Sequence, residues 1–184
     1  MSCRQSCSAL WTPDNKGFYL YSVPDRVGHE FSVIMKLLIY SFATLIVIIG
    51  VVLIALSVAS RKEPDMGLVD GRLSSCPATP NCVCSECSVD DASIEPLGYT
   101  GTAEEAWARL KRVIAETGGE VMDEKDGYLH AVYKTPLLRF VDDVEFRQDT
   151  NQQVIHVRSA SRVGRSDFGA NRKRVEKIRV AFGK

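Results

Sequence analysis

The chain has 184 residues, of which 45% are hydrophobic and 25% charged, and this composition excludes an intrinsically disordered protein. Its 23 Lys and Arg residues balance 23 Asp and Glu residues, so the formal net charge is +0. Nucleic-acid binding depends on many contacts between basic side chains and phosphates, so this balance argues against a nucleic-acid partner. The length allows one domain with an appendage.

The N-terminal residues 1–34 show no sustained periodicity. They are followed at Met35 by a pattern that is typical of the beginning of an export signal. We interpret residues 1–34 as a disordered tail, or as residues that precede the true start of translation at Met35.

An uncharged, apolar run extends from Leu37 to Ala59. About 20 such residues cross the roughly 30 Å hydrocarbon core of a bilayer as a helix. We therefore predict a single transmembrane anchor over residues 35–60, which contacts the membrane through residues 37–59. The small residues of Ser57-Val58-Ala59 also suit a cleaved signal segment, but the length of the run favours an uncleaved anchor.

Basic residues flank this run on both sides: Arg26 and Lys36 before it, and Arg61, Lys62 and Arg72 after it. The positive-inside rule mildly favours a cytosolic C-terminal side. The export-like start and the clustered cysteines described next favour the opposite orientation. We predict a single-pass protein whose C-terminal domain is exported, on the periplasmic or extracytoplasmic side.

Four cysteines are clustered at Cys76, Cys82, Cys84 and Cys87, within a Cys- and Pro-rich linker that we assign to residues 61–93. Clustered thiols indicate a metal site or disulfides, and the compartment decides between them. The spacing is cramped for the two separated knuckles of a zinc site, so we predict no metal. In an exported protein a Cys76–Cys82 disulfide is favoured. A redox pair of Cys84 and Cys87 is an alternative, although the strand-then-helix context of a thioredoxin-like motif is missing.

Residues 94–184 show the periodicities of an α+β domain. Thr102 and Glu105 form a capping box at the start of a helix that Gly118-Gly119 ends. The predicted strands are 120–123, 128–134, 141–148 and 153–161, with a tight turn at Asp126-Gly127. A second helix begins at a Ser166 or Asp167 cap and has Phe168, Val175, Ile178 and Phe182 on one stripe. The order α-β-β-β-β-α predicts an antiparallel sheet of about four strands, with two helices on one face.

The last two predicted strands form a hairpin with residues 149–152 as its loop. Its predicted partners are Phe146 with Ile155 and Val144 with Val157 on an apolar face, and Asp143 with Arg158 and Glu145 with His156 on the other face. Apolar pairs on one face and opposite charges on the other are what cross-strand energetics favour.

The stretch from Arg158 to Arg174 passes from a strand into a helix and is rich in arginine. Amides at a helix N-terminus and guanidinium groups together suit an anionic ligand, and the same surface suits an envelope protein partner. The candidate binding residues are Arg158, Ser159, Ser161, Arg162, Arg165, Asp167, Asn171, Arg172, Asp142, Asp143 and Glu145. The alternative is that the arginines pair with nearby carboxylates. We predict that Arg158 and Arg162 form one charged network with Asp142 and Asp167.

Catalytic residues cannot be assigned from these patterns. Asp142, Asp143 and Glu145 can supply an acid and a base, but adjacent strand residues point to opposite faces of a sheet. His130 and His156 are candidate bases, each more typical of a solvated strand position. The sequence contains no phosphate loop, nucleophile elbow or histidine metal motif, and we predict no cofactor.

Several segments resemble one family when they are taken together: LSSCPATPNCV at 73–83, the helix with EEAW, TPLLRFVDDVEF at 135–146 and RSASRVGRSDFGANRKRVE at 158–176. Over residues 70–182 the chain resembles the domain-of-unknown-function family 1499, which is widespread in bacteria, also occurs in plastid-bearing organisms, and has no established activity. The resemblance implies a shared fold but no mechanism. The positions that match the family's motif are Cys76, Pro77, Pro80, Asn81, Cys82, Asp142, Asp143, Glu145, Arg158, Ser159, Ser161, Arg162, Gly164, Asp167, Gly169, Asn171 and Arg172. Cys84 and Cys87 are additions to it.

These observations predict an uncharacterised, membrane-anchored envelope protein that acts as a non-enzymatic binding or assembly module through its Arg-rich turn. The alternative is an envelope hydrolase that uses Asp142 or Asp143 with Arg158 and Arg162. An enzyme requires these groups to converge on a pocket with room for a substrate, whereas a binding module can present them on an open surface.

Overall fold

The computed structural model describes residues 25–87 and 90–184. The interpretation of residues 1–34 as a tail lies largely outside these ranges. The chain divides into two compact units, Met1–Gly50 and Val51–Lys184. Helix α1 extends from Asp25 to Ala59 and therefore includes the last residues that we assigned to the tail.

Within α1, the segment Glu30–Ala59 is long and apolar enough to cross a membrane, with a mean hydropathy of 2.9 over its most apolar window. Only 6% of that window is buried against the protein. A helix with these properties near an N-terminus fits a membrane anchor or a signal sequence.

The remaining elements form an antiparallel sheet with two helices. The strands are β1 (Leu68–Val69), β2 (Arg72–Leu73), β3 (Cys82–Cys84), β4 (Leu97–Gly98), β5 (Gly119–Lys125), β6 (Tyr128–Lys134), β7 (Val141–Asp149) and β8 (Val154–Ser161), and the helices are α2 (Ala103–Thr117) and α3 (Ala170–Phe182). The main sheet has the order β3-β8-β7-β6-β5, and β4 also pairs with β8, while β1 and β2 form a separate hairpin. The predicted α+β class is confirmed.

The segment 61–93, which the sequence suggests is a linker, contributes to this architecture. β3 lies in it and extends the sheet beyond β8, with Cys82 opposite Ala160 and Cys84 opposite Arg158. Cys82, Val83 and Cys84 are buried. The structure joins Cys76 to Cys82, the pairing that the sequence favours, and also joins Cys84 to Cys87.

Helix α2 begins and ends where the sequence predicts. The Thr102 side chain accepts from the Glu105 amide and the Glu105 side chain accepts from the Thr102 amide, which completes the capping box. Gly118 has φ 95°, the left-handed conformation that glycine adopts readily at a helix end. A Cβ on Gly119 would come within 2.6 Å of the Tyr133 ring, so this position packs too closely for any side chain.

Helix α3 begins later than predicted. Its first residue is Ala170, and Gly169 precedes it with φ 77° and no side-chain cap. The predicted place of Phe168 on the buried stripe is wrong, because Phe168 precedes the helix and is 91% exposed. Val175, Ile178 and Phe182 are buried as predicted.

The β7–β8 hairpin has the predicted faces but different partners. Phe146 lies opposite Val157, Glu145 opposite Arg158 and Asp143 opposite Ala160. The Asp149 carboxylate accepts from the amides of Asn151 and Gln152. Asp149 therefore belongs to β7, and the four-residue loop consists of residues 150–153 instead of the predicted 149–152. The pairing therefore shifts by two residues while each side chain stays on the same face.

The hydrophobic core lies between the sheet and the two helices. It contains Leu110 and Ile114 of α2, Val175 and Ile178 of α3, and Phe146 of β7. The opposite face of the sheet is only partly covered, by the chain between the end of α1 and β3, where β2 contacts β7 and β8. This second face carries the candidate site.

Candidate functional site

The two faces of β7 carry different polar networks. Asp142 shares its face with Val144 and Phe146, which belong to the core under α2 and α3. Asp143 and Glu145 point to the opposite face because side chains alternate along a strand. The two adjacent aspartates therefore do not converge, and they cannot act together as an acid and a base at one site.

Asp143 is the centre of the first network. Its two oxygens accept from Nη2 and Nε of Arg162 at 2.7 and 2.8 Å, a bidentate pair, and His130 Nε2 lies 2.8 Å from Oδ1. The side chains of Asp143 and Arg162 are only 3% and 7% exposed. Burial by itself raises the pKa of Asp143, but the hydrogen bonds from His130 and Arg162 outweigh it and hold that pKa below its usual value. The carboxylate is therefore firmly ionised.

Glu145 is the centre of the second network, one pleat along β7. Arg158 Nη1 donates to its Oε2 at 2.7 Å, and the Tyr128 hydroxyl donates to its Oε1 at 2.8 Å. Burial and the neighbouring Glu145 carboxylate raise the pKa of Tyr128. The phenol consequently stays protonated and remains a hydrogen-bond donor to Glu145.

These two networks form the floor of a cavity of about 500 Å³. Its other side is formed by the chain that follows α1, and the lining residues are Ala59, Lys62, Glu63, Pro64, Asp65, Met66, Ser74, Pro77, Asp143, Glu145, Arg158, Ala160, Ser161 and Arg162. Lys62 and Asp65 make no ion pair with any residue in the described part of the chain. Both are therefore available to a ligand.

The guanidinium of Arg158 is not fully satisfied. Among the side chains that the structure describes, its Nε is the buried polar atom for which no hydrogen-bond acceptor is present. A buried donor without an acceptor costs about 1–3 kcal/mol, and more when the group is charged. Arg158 also lines the cavity, where its side chain is 14% exposed.

A different network holds Asp142 on the helix side of the sheet. Arg174 of α3 donates to Asp142, and to the Ser159 hydroxyl at 3.0 Å. The buried Asn171 side chain donates to the Asn81 carbonyl at 2.9 Å and to the Ser161 hydroxyl at 3.0 Å, and accepts from the Ser159 hydroxyl at 2.6 Å. This network joins α3 to β8 and to the chain before β3.

The prediction of one charged network that contains Arg158, Arg162, Asp142 and Asp167 is therefore wrong. Asp167 contacts neither arginine, because its carboxylate accepts from the amides of Gly169 and Asn171 at 2.9 and 2.7 Å. Burial alone raises the pKa of Asp167, but these backbone hydrogen bonds outweigh it and lower that pKa. The amides that the sequence suggests for an anion at the start of α3 already have an acceptor in the protein.

The remaining arginines of α3 also have partners. Arg172 donates to the carbonyl oxygens of Asp91 and Ser93, and Arg179 donates to those of Glu95 and Pro96. Arg165 is exposed on the turn. The candidate residues thus divide among the cavity, the α3 network and the exposed turn rather than forming one anion-binding surface.

The sequence patterns did not identify several residues of these three networks. His130 is 2% exposed and not a solvated strand residue, because β6 lies between β5 and β7 and is covered on both faces. Tyr128 and Arg174 were not candidates at all. Tyr128 and His130 lie two residues apart on β6, so their side chains share one face of the sheet. Polar residues with this spacing on a central strand are the signal in the sequence that indicates a polar network with the neighbouring strand β7.

The described residues contain no group of three or more His, Cys, Asp or Glu side chains that could hold a metal ion. The family model described as "Protein of unknown function (DUF1499)" matches residues 72–182, more than half of the chain. The chain belongs to the DUF1499 family. The matched part of this DUF1499 protein includes Asp143, Glu145, Arg158 and Arg162, whereas α1 and the cavity wall from Ala59 to Met66 precede it. No curated protein and no solved structure matches the chain.

Proposed function

We propose that this protein is a membrane-tethered, non-cytosolic binding module, and that the cavity above Asp143 and Glu145 binds a small polar ligand with an anionic group. The observation that carries the proposal is the arrangement of cations around this cavity. Arg158 has an Nε–H without an acceptor, and Lys62 lines the opposite wall without an ion pair to the described residues. Both can bind one negatively charged group.

The charge around the cavity limits the kind of anion. The carboxylates of Asp143 and Glu145 are already bound by arginines, but Glu63 and Asp65 also line the cavity. A ligand with several negative charges would be repelled by these two carboxylates. The best match is a ligand with one anionic group and with hydroxyl or amino groups that donate to Glu63 or Asp65.

The hydrolase alternative is less well supported by the same contacts. Asp143 lines the cavity, but its oxygens accept from His130 and Arg162, and its lowered pKa makes the carboxylate a weak general base near neutral pH. A positioned and ionised carboxylate of this kind serves better to hold Arg162 in place than to transfer a proton.

Tethering is supported by how the end of α1 joins the domain. The Ser57 hydroxyl donates to the Leu138 carbonyl, and the Ser60 hydroxyl accepts from the Val141 amide at 3.2 Å. Ser57 and Ser60 are buried. Since cleavage of a signal after Ala59 would remove one of these contacts, we favour an uncleaved anchor.

The proposed ligand site can be tested by thermal unfolding of the full-length protein in a mild detergent, in chloride and in dimethyl phosphate or methanesulfonate at matched ionic strength. Each of these two probes carries a single negative charge on an oxygen-bearing group. A ligand at ten times its Kd stabilises the folded state by about 1.4 kcal/mol, so we expect dimethyl phosphate or methanesulfonate to raise Tm. Lys62→Met and Arg158→Met should abolish the increase.

The matched control is Arg147→Met. Arg147 is also paired with a buried carboxylate on this face, Glu86 at 2.8 Å, but it does not line the cavity. This variant should keep the anion-dependent increase in Tm. The proposal would be contradicted by a parent protein that does not respond to either anion, or by a response that survives both cavity substitutions.

A further inference from the structure

The loop between β6 and β7 presents an apolar tip. Leu137 is 90% exposed, and Pro136 beside it is also exposed. A large apolar side chain that is exposed to this degree gains free energy when lipid or protein covers it, so its surroundings decide whether it has a partner.

Hydrogen bonds within the loop hold this tip in a defined shape. The Thr135 amide donates to the Phe140 carbonyl at 2.9 Å, and the Phe140 amide donates to the Thr135 hydroxyl at 2.9 Å. The Arg139 amide donates to the Thr135 carbonyl at 3.1 Å. The tip is therefore a closed turn rather than an irregular segment, and Leu137 is displayed at its end.

The same loop is attached to the last turn of α1. Ser57 donates to the carbonyl oxygen of Leu138, the residue next to Leu137, and Ser60 accepts from the amide of Val141 at the start of β7. A helix rises 1.5 Å per residue, so Ser57 lies about 3 Å before Ala59, where the uncharged apolar run ends. The tip is therefore level with the end of the segment that would lie in hydrocarbon.

We propose that the Pro136–Arg139 loop inserts Leu137 into the interfacial layer of the membrane that α1 crosses. The occupant of this apolar surface is the lipid bilayer, because the hydrogen bonds to Ser57 and Ser60 place the loop beside the end of α1. Arg139 next to the tip and Arg61 directly after α1 are exposed cations beside this loop, and they can bind lipid phosphates. The domain is then held at the bilayer by the helix and by a second, reversible contact. This inference rests on the proposed tether but is independent of the proposed ligand and of the side of the membrane.

Tryptophan fluorescence with acyl-brominated lipids can test this contact. The full-length protein is reconstituted into phosphatidylcholine–phosphatidylglycerol vesicles as a Leu137→Trp variant. We expect the added emission to be shifted to shorter wavelength, and to fall by at least half when the lipids are brominated. The matched control is Phe168→Trp, because Phe168 is as exposed as Leu137 but lies on the turn before α3. Its added emission should resemble that of tryptophan in water and should not be quenched.

Two outcomes would overturn the inference while leaving the tether intact. If vesicle-bound Leu137→Trp emits like Phe168→Trp, the tip is in water. If its emission is shifted but not quenched, the tip is covered by protein, for example a second copy of the chain. Vesicle flotation after alkaline washing measures insertion of α1 separately, and failure of that measurement would overturn the tether and the loop contact together.

Discussion

The buried pair of Asp143 and Arg162 joins three parts of the protein through one guanidinium. Arg162 binds both carboxylate oxygens of Asp143, and its Nη1 also donates to the carbonyl oxygens of Ser60 and Arg61 at 3.4 and 3.3 Å. The hydrogen bonds and attraction to Asp143 raise the pKa of Arg162, so the cation is permanent. This residue therefore connects β7 and the end of β8 to the chain that leaves α1.

We expect Arg162→Ala to lower the free energy of unfolding by about 3–5 kcal/mol, because it leaves the buried carboxylate of Asp143 without its charged partner. Urea unfolding of the full-length protein in detergent measures the change. Arg165→Ala is the control, because Arg165 lies on the exposed turn before α3. It should change the free energy of unfolding very little. A stable Arg162→Ala protein would show that the pair does not hold the structure together.

The ionisation of Asp143 makes a specific contribution to the pH dependence of stability. Its pKa in the folded state lies below the usual value of about 3.9, so this contribution is complete above about pH 5. It is lost as the pH falls through the folded-state pKa, because the unfolded chain then binds the proton more readily. Between pH 5 and pH 2, the free energy of unfolding should therefore fall less steeply in Asp143→Asn than in the parent. Parallel curves for the two proteins would contradict this assignment.

At the scale of elements, Asn171 is the point at which α3 joins the sheet. Its side chain bonds to the Asn81 carbonyl, the Ser161 hydroxyl and the Ser159 hydroxyl, and it is completely buried. These contacts connect the start of α3, the residues just before β3 and the end of β8.

We expect Asn171→Ala to be strongly destabilising, since each buried polar group left without a partner costs about 1–3 kcal/mol. The control is Asn151→Ala, because Asn151 is exposed in the loop between β7 and β8. Chemical unfolding of the two variants should show a large loss of stability only for Asn171→Ala. Equal stabilities would mean that the α3 junction depends on apolar packing alone.

The Cys76–Cys82 disulfide closes a short loop that ends at the start of β3. Constraining a loop of this size stabilises the folded state by about 2 kcal/mol in the chain-entropy account. Thiol trapping of the protein from native membranes should find both cysteines oxidised, and Cys76→Ser should unfold at a lower urea concentration. Recovery of Cys76 and Cys82 as free thiols would contradict the pairing.

Local patterns in the sequence predict the elements better than they predict the contacts between them. Three predicted features depend only on residues that are close in the sequence, and the structure contains all of them: the capping box of α2, the Asp126-Gly127 turn and the two faces of the hairpin. Asp126 and Gly127 have φ values of 25° and 79°. Which residues of β7 and β8 lie opposite each other depends on how Asp149 binds the loop amides. The alternation of apolar and polar residues along a strand carries no information about that contact. The pairing of Asp142 with Arg174 requires the position of α3 against the sheet, so it could not be predicted from spacing along the chain.

At the scale of the whole molecule, the proposed function requires that α1 remains attached and holds the domain outside the cytosol. The buried contacts of Ser57 and Ser60 make the end of α1 part of the folded domain. The proposed contact of the loop with the membrane and the position of the cavity wall from Ala59 to Met66 both depend on that attachment.

The most direct test is a fusion of a reporter that fluoresces only in the cytosol to the C-terminus, after Lys184, combined with the mass of the protein recovered from membranes. We predict dark cells, with the fusion in the membrane fraction and α1 still present in its mass. A control fusion that begins at Arg61 should be bright, because it has no apolar segment to direct export. Bright cells with the full-length fusion would contradict the predicted side of the membrane, and a membrane-free product that begins near Ser60 would contradict the retained anchor.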